Sequence, residues 1–269
     1  MALPPPSASG TALVTGASAG IGEAIARQLA SRGHGVTLVA RREDRLNALA
    51  GELHERHGVR AEAIAADLGG AAARDGLVAQ LDGLGLEVEI LVNNAGFGTA
   101  ESVFDLDRER LMAMLRINCE ALLDFQTRYL PAMVARGRGT VINIASTAAF
   151  QPIPGTATYA ATKAFVLSLS EAVHEELKGT GVTLTAVCPG PVKTEFMQAA
   201  GIEQAEEQLP DVFWMSSEVV AKAAVDAAEK GKRAIVPGLL NRAGALTGQH
   251  TPRMLVLPLA KRLWRSQAL

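Results

Sequence analysis

The 269-residue sequence predicts an α/β fold, a doubly wound parallel sheet of about seven strands with helices on both faces. Short apolar segments rich in β-branched residues alternate along the chain with longer segments of helical pattern. Strands buried on both faces have this apolar composition, and regular strand–helix alternation is typical of a parallel sheet. A chain of this length commonly forms one such domain.

The elements can be placed in order along the chain. Strands are expected near residues 11–15, 35–40, 60–65, 88–93, 139–145, 182–188 and 233–236. Helices are expected at about 20–32, 42–57, 71–83, 106–117, 119–136, 156–179 and 217–230. This assigns residues 1–10 to a disordered leader, 11–238 to a single domain and 239–269 to a partly helical extension. Ligands of such a sheet bind at the carboxyl ends of its strands.

The turn after the first strand is rich in glycine. It reads GASAGIG, with glycines at Gly16, Gly20 and Gly22, and a helical segment follows. Glycines let the backbone approach a pyrophosphate, and a helix N-terminus supplies N–H groups and the positive end of a dipole. The spacing differs from the common G-x-G-x-x-G fingerprint. The strand–turn–helix context nevertheless predicts a dinucleotide site, with Ser18 and Ile21 among its contacts.

Three residues in the second half of the chain suit proton transfer. Tyr159 and Lys163 are four residues apart, so on a helix they lie on one face. A phenol titrates near pH ~10, and a cation held beside it favours the phenolate. We therefore expect Lys163 to lower the pKa of Tyr159. The hydroxyl of Ser146 can donate a hydrogen bond to the same substrate oxygen.

Five motifs in this order resemble the short-chain dehydrogenases/reductases in their single-domain form. They are TGASAGIG at 15–22, NNAG at 93–96, Asn118, the trio of Ser146, Tyr159 and Lys163, and PGPVKT at 189–194. The resemblance extends from Thr11 to about Gly238. It implies a Rossmann-type catalytic domain, an NAD(P)-dependent oxidoreductase activity, and a catalytic tetrad of Asn118, Ser146, Tyr159 and Lys163.

The resemblance also implies a role for each member of the tetrad. In reduction, hydride from the cofactor reaches a carbonyl carbon, Ser146 stabilises the oxygen and Tyr159 donates the proton. Lys163 also binds the nicotinamide ribose, and Asn118 holds a water that connects Lys163 to solvent. In the reverse oxidation of an alcohol, Tyr159 acts as the base.

Further cofactor contacts carry over by position. They are, from adenine to nicotinamide, Asp67, Leu68, Asn94, Ala95, Gly96, Pro189, Gly190, Val192 and Thr194, together with Tyr159 and Lys163. Asp67 is expected to accept a hydrogen bond from the adenine amino group, and Val192 and Thr194 to face the nicotinamide carboxamide. Asn93 is expected to tie neighbouring strands together.

The end of the second strand indicates which cofactor is used. NAD-binding dehydrogenases usually carry an acid there, whereas NADP-binding ones prefer an arginine for the 2′-phosphate. Arg41 and Arg42 follow this strand, and a guanidinium suits a phosphate. NADP(H) is therefore favoured, unless both arginines are ordinary surface residues. Use of NAD(H) is left open, because Ser18 and Ala19 stand where many NADP-preferring members have a basic residue.

The residues expected at the substrate end are apolar or uncharged. They are Phe97, Gln151, Ile153, Phe196, Phe213 and Trp214. We expect a lipophilic ketone, aldehyde or secondary alcohol, unless these residues only cover the core. Two alternatives remain: a reductase of carrier-bound 3-oxoacyl groups, and a non-catalytic NADP-binding regulator. The intact tetrad argues against the regulator.

The C-terminal segment is leucine-rich and basic. Its basic and aromatic residues are Arg253, Lys261, Arg262, Trp264 and Arg265. Three interpretations stay open: the segment packs on its own or a partner subunit, it covers the substrate cleft, or it lies on a membrane surface as an amphipathic helix.

Composition excludes several other classes. The net charge is −2, and the charged residues are dispersed along the chain, which argues against a nucleic-acid-binding protein. Cys119 and Cys188 lie in apolar segments and are expected to be buried thiols, with no disulfide and no metal site. There is no apolar run of the roughly twenty residues that span a bilayer, and no signal peptide pattern. A cytoplasmic protein is therefore expected.

Members of the family often pair through the two helices that carry Asn118 and the Tyr159–Lys163 motif. The outer face of the second helix is expected to be small enough to permit this, with residues such as Ala164, Leu167, Ser168, Glu171 and Ala172. The resemblance therefore implies a homodimer or a homotetramer.

Overall fold

The computed structural model describes residues 3–99, 102–105, 107–200, 210–255, 257–258 and 261. Its strands are β1 Gly10–Thr15, β2 Val36–Ala40, β3 Ala61–Ala65, β4 Glu87–Asn93, β5 Gly139–Ile144, β6 Val182–Val187 and β7 Ala234–Ile235. They form one sheet in the order β3-β2-β1-β4-β5-β6-β7, and every neighbouring pair is parallel. The predicted fold class is confirmed, and each expected strand is present.

Helices fill the connections between the strands. They are α1 Gly20–Ala30, α2 Glu43–His57, α3 Ala71–Gly83, α4 Arg108–Leu115, α5 Ala121–Ala135, α6 Ala157–Glu176, α7 Phe196–Ala200, α8 Ser217–Glu229 and α9 Leu239–His250. Short 3₁₀ turns occur at Thr147–Phe150 and Asp211–Phe213. The two helices expected at 106–117 and 119–136 are joined without a break, because a π-helical segment, Arg116–Glu120, connects α4 to α5.

Successive residues of a strand point to opposite faces of the sheet and pack into the core layer on that face. In β1, Leu13 packs with side chains of α3 and α5, whereas Val14 packs with side chains of α1, α2 and α8. Fully burying such a side chain contributes roughly 1.5–3 kcal/mol. The sheet therefore needs helices on both faces, which accounts for the apolar strands in the sequence.

The strand order reverses direction beside β1. The chain runs outward from β1 to β2 and β3, then crosses back to β4 on the other side of β1. Such a reversal leaves a crevice at the carboxyl ends of the two central strands, because the following helices leave on opposite faces of the sheet. Gly16 and Asn94, the first residues after β1 and β4, lie at this crevice.

The N-terminal segment and helix α9 both contact the domain. Residues 3–9, expected to be a disordered leader, form no helix or strand, but Leu3 packs against the core and the Ser7 hydroxyl accepts a hydrogen bond from the Gly10 amide at 2.9 Å. Helix α9 buries Asn241, Ala245 and Gly248.

The surface-helix interpretation of the C-terminus involves Arg262, Trp264 and Arg265, which lie outside the described residues. Arg253 and Lys261 are exposed. Within the part of the chain that the structure covers, no helix has both the length and the apolar character needed to cross a membrane.

Candidate active site

A cleft of about 1120 Å³ opens at the carboxyl ends of the central strands. Nearly all of the predicted site residues line it. The predicted residues that do not line it are Gly22, Asn118, Phe213 and Trp214. Gly22 and Asn118 support the lining from behind, as described below. Phe213 ends the 3₁₀ turn before α8 and Trp214 directly follows it, so both lie outside the lining of the cleft.

The glycine-rich turn is shaped by two requirements on its backbone. Gly16 and Gly20 have φ angles of 66° and 61°, in the left-handed region that favours glycine. A Cβ atom on Gly22 would lie only 2.4 Å from the carbonyl oxygen of Gly16. The turn can therefore fold tightly onto the start of α1 only with glycines at these positions. It leaves the helix N-terminus accessible to a phosphate.

Two residues brace this turn from β1 and β4. The Thr15 hydroxyl donates to the Val92 carbonyl at 3.1 Å and accepts from the amides of Asn94 and Ala95, both at 3.0 Å. The Asn94 side chain donates to the carbonyls of Thr15 and Gly16 at 3.0 and 3.2 Å. Asn94 therefore fixes the turn itself, in addition to lining the cleft.

Arg42 links the glycine-rich turn to the loop after β6. Its guanidinium donates to the Ser18 hydroxyl at 2.9 and 3.1 Å and to Glu195 at 2.5 Å. Glu195 also binds Arg45 at 2.6 Å. Arg41 is exposed and lines the cleft as well. Arg41 and Arg42 thus lie where the 2′-phosphate is expected, and Arg42 is already paired with the carboxylate of Glu195.

Asp67 and Leu68 form the opposite wall of this end. The Asp67 carboxylate accepts a hydrogen bond from the Gly69 amide at 3.1 Å. The carbonyl of Leu68 accepts from Arg74 at 2.9 Å, and Arg74 is buried between Glu120 and Asp124. This buried arginine ties the Asp67 loop to the π-helical segment.

Tyr159, on α6, meets Ser146 at the bottom of the cleft. The hydroxyl groups of the two residues are hydrogen-bonded, and Ser146 also accepts from the Ala148 amide at 3.1 Å. Burial raises the pKa of Tyr159 to about 12, and the Ser146 hydrogen bond only partly opposes this. The expected net lowering of the Tyr159 pKa is therefore absent from this structure, because desolvation of the phenolate is the largest effect.

Lys163 lies beneath the tyrosine ring. Its side chain is 6% exposed, its Nζ atom donates to the Ile144 carbonyl at 2.8 Å, and it is 5.8 Å from the centroid of the Tyr159 ring. Burial lowers the pKa of Lys163 to about 8. The residue is therefore predominantly a cation at neutral pH, but only by a narrow margin.

Asn118 lies within the π-helical segment and is 2% exposed. Its Oδ1 accepts from the Phe97 amide at 3.1 Å, and its Nδ2 donates to the Phe97 carbonyl and the Thr162 hydroxyl, both at 3.0 Å. Both amide hydrogens are thus used by the protein. The side chain joins the loop after β4 to α6.

Asn93 ties strands together, as expected. Its Nδ2 donates to the Asn143 side chain at 2.9 Å, and Asn143 donates to Ser170 at 2.8 Å. This buried chain of hydrogen bonds runs from β4 through β5 to α6.

The substrate end of the cleft is mostly apolar. Phe97, Ile153 and Phe196 line it, and the Phe196 ring centroid lies 5.6 Å from that of Tyr159. Gln151 is the polar exception among the predicted substrate contacts. Val192 and Thr194 line the wall between this end and the cofactor end.

Glu195 and Asn241 are among the residues around the cleft that sequence reasoning missed. Glu195 directly follows PGPVKT, and its pairing with an arginine of α2 has no local signal. Asn241, on α9, is buried against Gly190: a Cβ atom on that glycine would lie 2.4 Å from the Asn241 side chain. Its amide donates to the Phe213 carbonyl at 3.2 Å. Only the packing of the C-terminal helix reveals this contact.

Comparison with known proteins adds an independent observation. A family model described as short chain dehydrogenase matches residues 10–205. A very-long-chain 3-oxoacyl-CoA reductase of Anas platyrhynchos is 37% identical over 190 residues, which cover 68% of this chain and 60% of that protein. The match thus spans less than two thirds of that relative.

Two solved structures match this chain over more of its length than that relative does. A short-chain dehydrogenase from Sphingobium yanoikuyae in complex with NADPH has a TM-score of 0.78 at 35% identity, covering 88% of this chain and 92% of that one. A bulky-bulky ketone specific alcohol dehydrogenase from Comamonas testosteroni has a TM-score of 0.74 at 29% identity, covering 95% and 93%.

Proposed function

The chain belongs to the short-chain dehydrogenase family, and from that premise we propose that it is an NADP(H)-dependent oxidoreductase acting on a lipophilic ketone or aldehyde, or on the corresponding secondary alcohol. The observation that carries the proposal is the juxtaposition of Ser146, Tyr159 and Lys163 at the bottom of a cleft whose other end is a glycine-rich turn.

The residues present fit a dinucleotide. The backbone at Gly16, Gly20 and Gly22 leaves room for a pyrophosphate at the N-terminus of α1, and Arg41 and Arg42 suit a 2′-phosphate. The similar protein from Sphingobium yanoikuyae was solved with NADPH, which supports the same cofactor here. NADPH, when bound, supplies the hydride. The predicted ribose, adenine and nicotinamide contacts keep their proposed roles.

In this proposal, the tyrosine transfers the proton. A pKa of about 12 keeps Tyr159 protonated at neutral pH, which is the form that donates to a carbonyl oxygen. Ser146, already hydrogen-bonded to Tyr159, donates to the same oxygen as negative charge develops. The Lys163 cation stabilises the phenolate left behind. Asn118 holds the loop at Phe97 against α6, so that the substrate wall keeps its position.

The apolar walls favour a lipophilic substrate. Phe97, Ile153 and Phe196 surround the space beside Tyr159, and the structurally similar enzyme from Comamonas testosteroni is specific for bulky-bulky ketones. A 3-oxoacyl thioester is the second candidate, because the relative from Anas platyrhynchos reduces very-long-chain 3-oxoacyl-CoA.

The test is the consumption of NADPH, with NADH alongside, over ketones and aldehydes graded in chain length and ring number and over 3-oxoacyl thioesters. We expect turnover that needs NADPH and rises with apolar bulk. Tyr159→Phe should lose about 10²–10⁴-fold in kcat, the range for loss of a general acid, while the Kd for NADPH should rise by no more than about tenfold, the effect of one lost hydrogen bond. Tight NADPH binding without turnover of any carbonyl would instead favour the non-catalytic regulator.

A further inference from the structure

The C-terminal helix α9 meets the substrate end of the cleft at one glycine. Gly248 is buried on α9. A Cβ atom at this position would lie 2.5 Å from Oε1 of Gln151 and 2.9 Å from its Cδ. The side chain of Gln151 therefore packs directly on the helix backbone, in a contact that only glycine allows.

Gln151 separates this helix from the cleft. It follows the 3₁₀ turn Thr147–Phe150, is partly buried, and lines the cleft together with Ile153 and Tyr159. A side chain at position 248 would displace the flexible Gln151 side chain from α9, and the cleft that Gln151 lines is a space it can enter. The absence of a side chain at position 248 thus holds the Gln151 amide back from the substrate space.

We propose that Gly248 is a positioning residue that sets the size of the substrate pocket by letting Gln151 pack back against α9. A larger residue at this position turns the amide toward Tyr159, where it narrows the pocket and places polar atoms among apolar groups. The inference rests on the proposed reductase function, because substrate size is measured on a carbonyl compound.

The same helix provides a matched control. Gly244 lies one turn earlier on α9 and is exposed, and a Cβ atom there would meet nothing within 4 Å. Replacing either glycine with Ala or Leu raises helix propensity by a similar amount. A difference between the two positions therefore reports the contact with Gln151 and not the stability of α9.

The experiment measures kcat/KM for a small and a bulky apolar ketone at saturating NADPH. We expect Gly248→Leu to lower the bulky-to-small ratio by about tenfold or more, the size of effect that poor fit in an apolar pocket produces, mainly through KM. Gly248→Ala lowers the ratio less, and Gly244→Leu keeps the native ratio. Adding Gln151→Ala to Gly248→Leu restores access for the bulky ketone. Equal ratios for the two leucine variants overturn the inference.

A crystal structure of Gly248→Leu with NADPH gives a readout that is independent of turnover. A Gln151 side chain rotated into the cleft supports the inference, whereas an unmoved Gln151 with a displaced α9 overturns it. If the native chain reduces no carbonyl, the proposed function fails on its own assay, and the crystal structure still decides the role of Gly248.

Discussion

The ammonium group of Lys163 is buried and donates a hydrogen bond to a backbone carbonyl. Burial disfavours the charged form and lowers the pKa of Lys163. Its neighbours Cys119 and Cys188 have pKa values raised by burial to about 11 and about 12, so neither is an anion that would stabilise the ammonium at neutral pH. The Lys163 cation suits the proposed chemistry of the site, but burying it lowers the stability of the folded chain.

This cost predicts how stability changes with pH. The pKa of Lys163 is about 8 in the folded chain against an ordinary value of 10.5. Below pH ~8 the folded chain must bury the cation. As pH rises to ~10.5, the folded form loses the proton first, so the cost disappears and the free energy of unfolding rises. Relative to Lys163→Met, the native chain should gain on the order of 3 kcal/mol over this window.

Denaturant titrations of both proteins at pH 7.5 and 10.5 measure this difference. Both proteins carry Cys119→Ala and Cys188→Ala, because these two cysteines interact with Lys163, and titration of the groups away from Lys163 is common to both and cancels. A difference that stays constant across the two pH values would show that the pKa of Lys163 is not lowered.

Arg42 is shared between a hydroxyl of the glycine-rich turn and the carboxylate of Glu195. A 2′-phosphate on the cofactor would compete with Glu195 for the same guanidinium, whereas a 2′-hydroxyl would not. An exposed ion pair is worth up to about 1 kcal/mol, or roughly fivefold in affinity. Glu195 is therefore expected to weaken NADPH binding selectively.

Glu195→Gln should lower the Kd for NADPH by about two- to fivefold and change the Kd for NADH less than about twofold. Fluorescence titration of both cofactors measures the two constants. Glu43→Gln is the matched control, since Glu43 adjoins Arg42, makes the same charge change and forms no ion pair with Arg42 in the described structure. The same gain in NADPH affinity for both variants would mean that net charge, and not competition at Arg42, is responsible.

At the scale of elements, the sequence predicted the strands, which have a characteristic composition, and the residues that belong to recognisable motifs. The strands were recognised because parallel strands buried on both faces must be apolar, and their bounds agree within one or two residues. Ser146, Tyr159 and Lys163 were predicted from the chemistry and spacing of their side chains, whereas Asn118 was predicted only from the resemblance to the family. Ser146, Tyr159 and Lys163 indeed lie together in the cleft, and Asn118 lies directly behind it.

Elements that depend on packing were not predictable in this way. A π-helical segment has the composition of an α-helix, so Arg116–Glu120 gave no separate signal. Helix α9 was expected only as part of an extension. Its contacts with Gly190 and Gln151 follow from tertiary packing of Asn241 and Gly248, and neither residue carries a motif.

At the scale of the whole molecule, one apolar surface lies outside the cleft. A shallow hollow of about 360 Å³ between α4, α5 and α6 is lined by Met112, Leu115, Cys119, Leu123 and Phe165 and by the charged residues Arg116 and Glu120. These are the helices that the family resemblance assigned to subunit pairing. Ser168 is exposed, as expected, and so is Phe165, whereas Leu167, which was also expected on the outer face, is a buried core residue.

We therefore predict that the chain forms a dimer or tetramer through this surface and that a charge on it prevents pairing. Leu123 is 40% exposed, and in an apolar interface Leu123→Arg would bury an unpaired guanidinium. Sedimentation velocity at micromolar concentration should show the native chain as an oligomer and Leu123→Arg as a monomer. Val219→Arg is the control: Val219 is an exposed apolar residue of α8, which packs on the other face of the sheet, so this variant should keep the native oligomer. A monomeric native chain, or equal dissociation of both variants, would contradict the prediction.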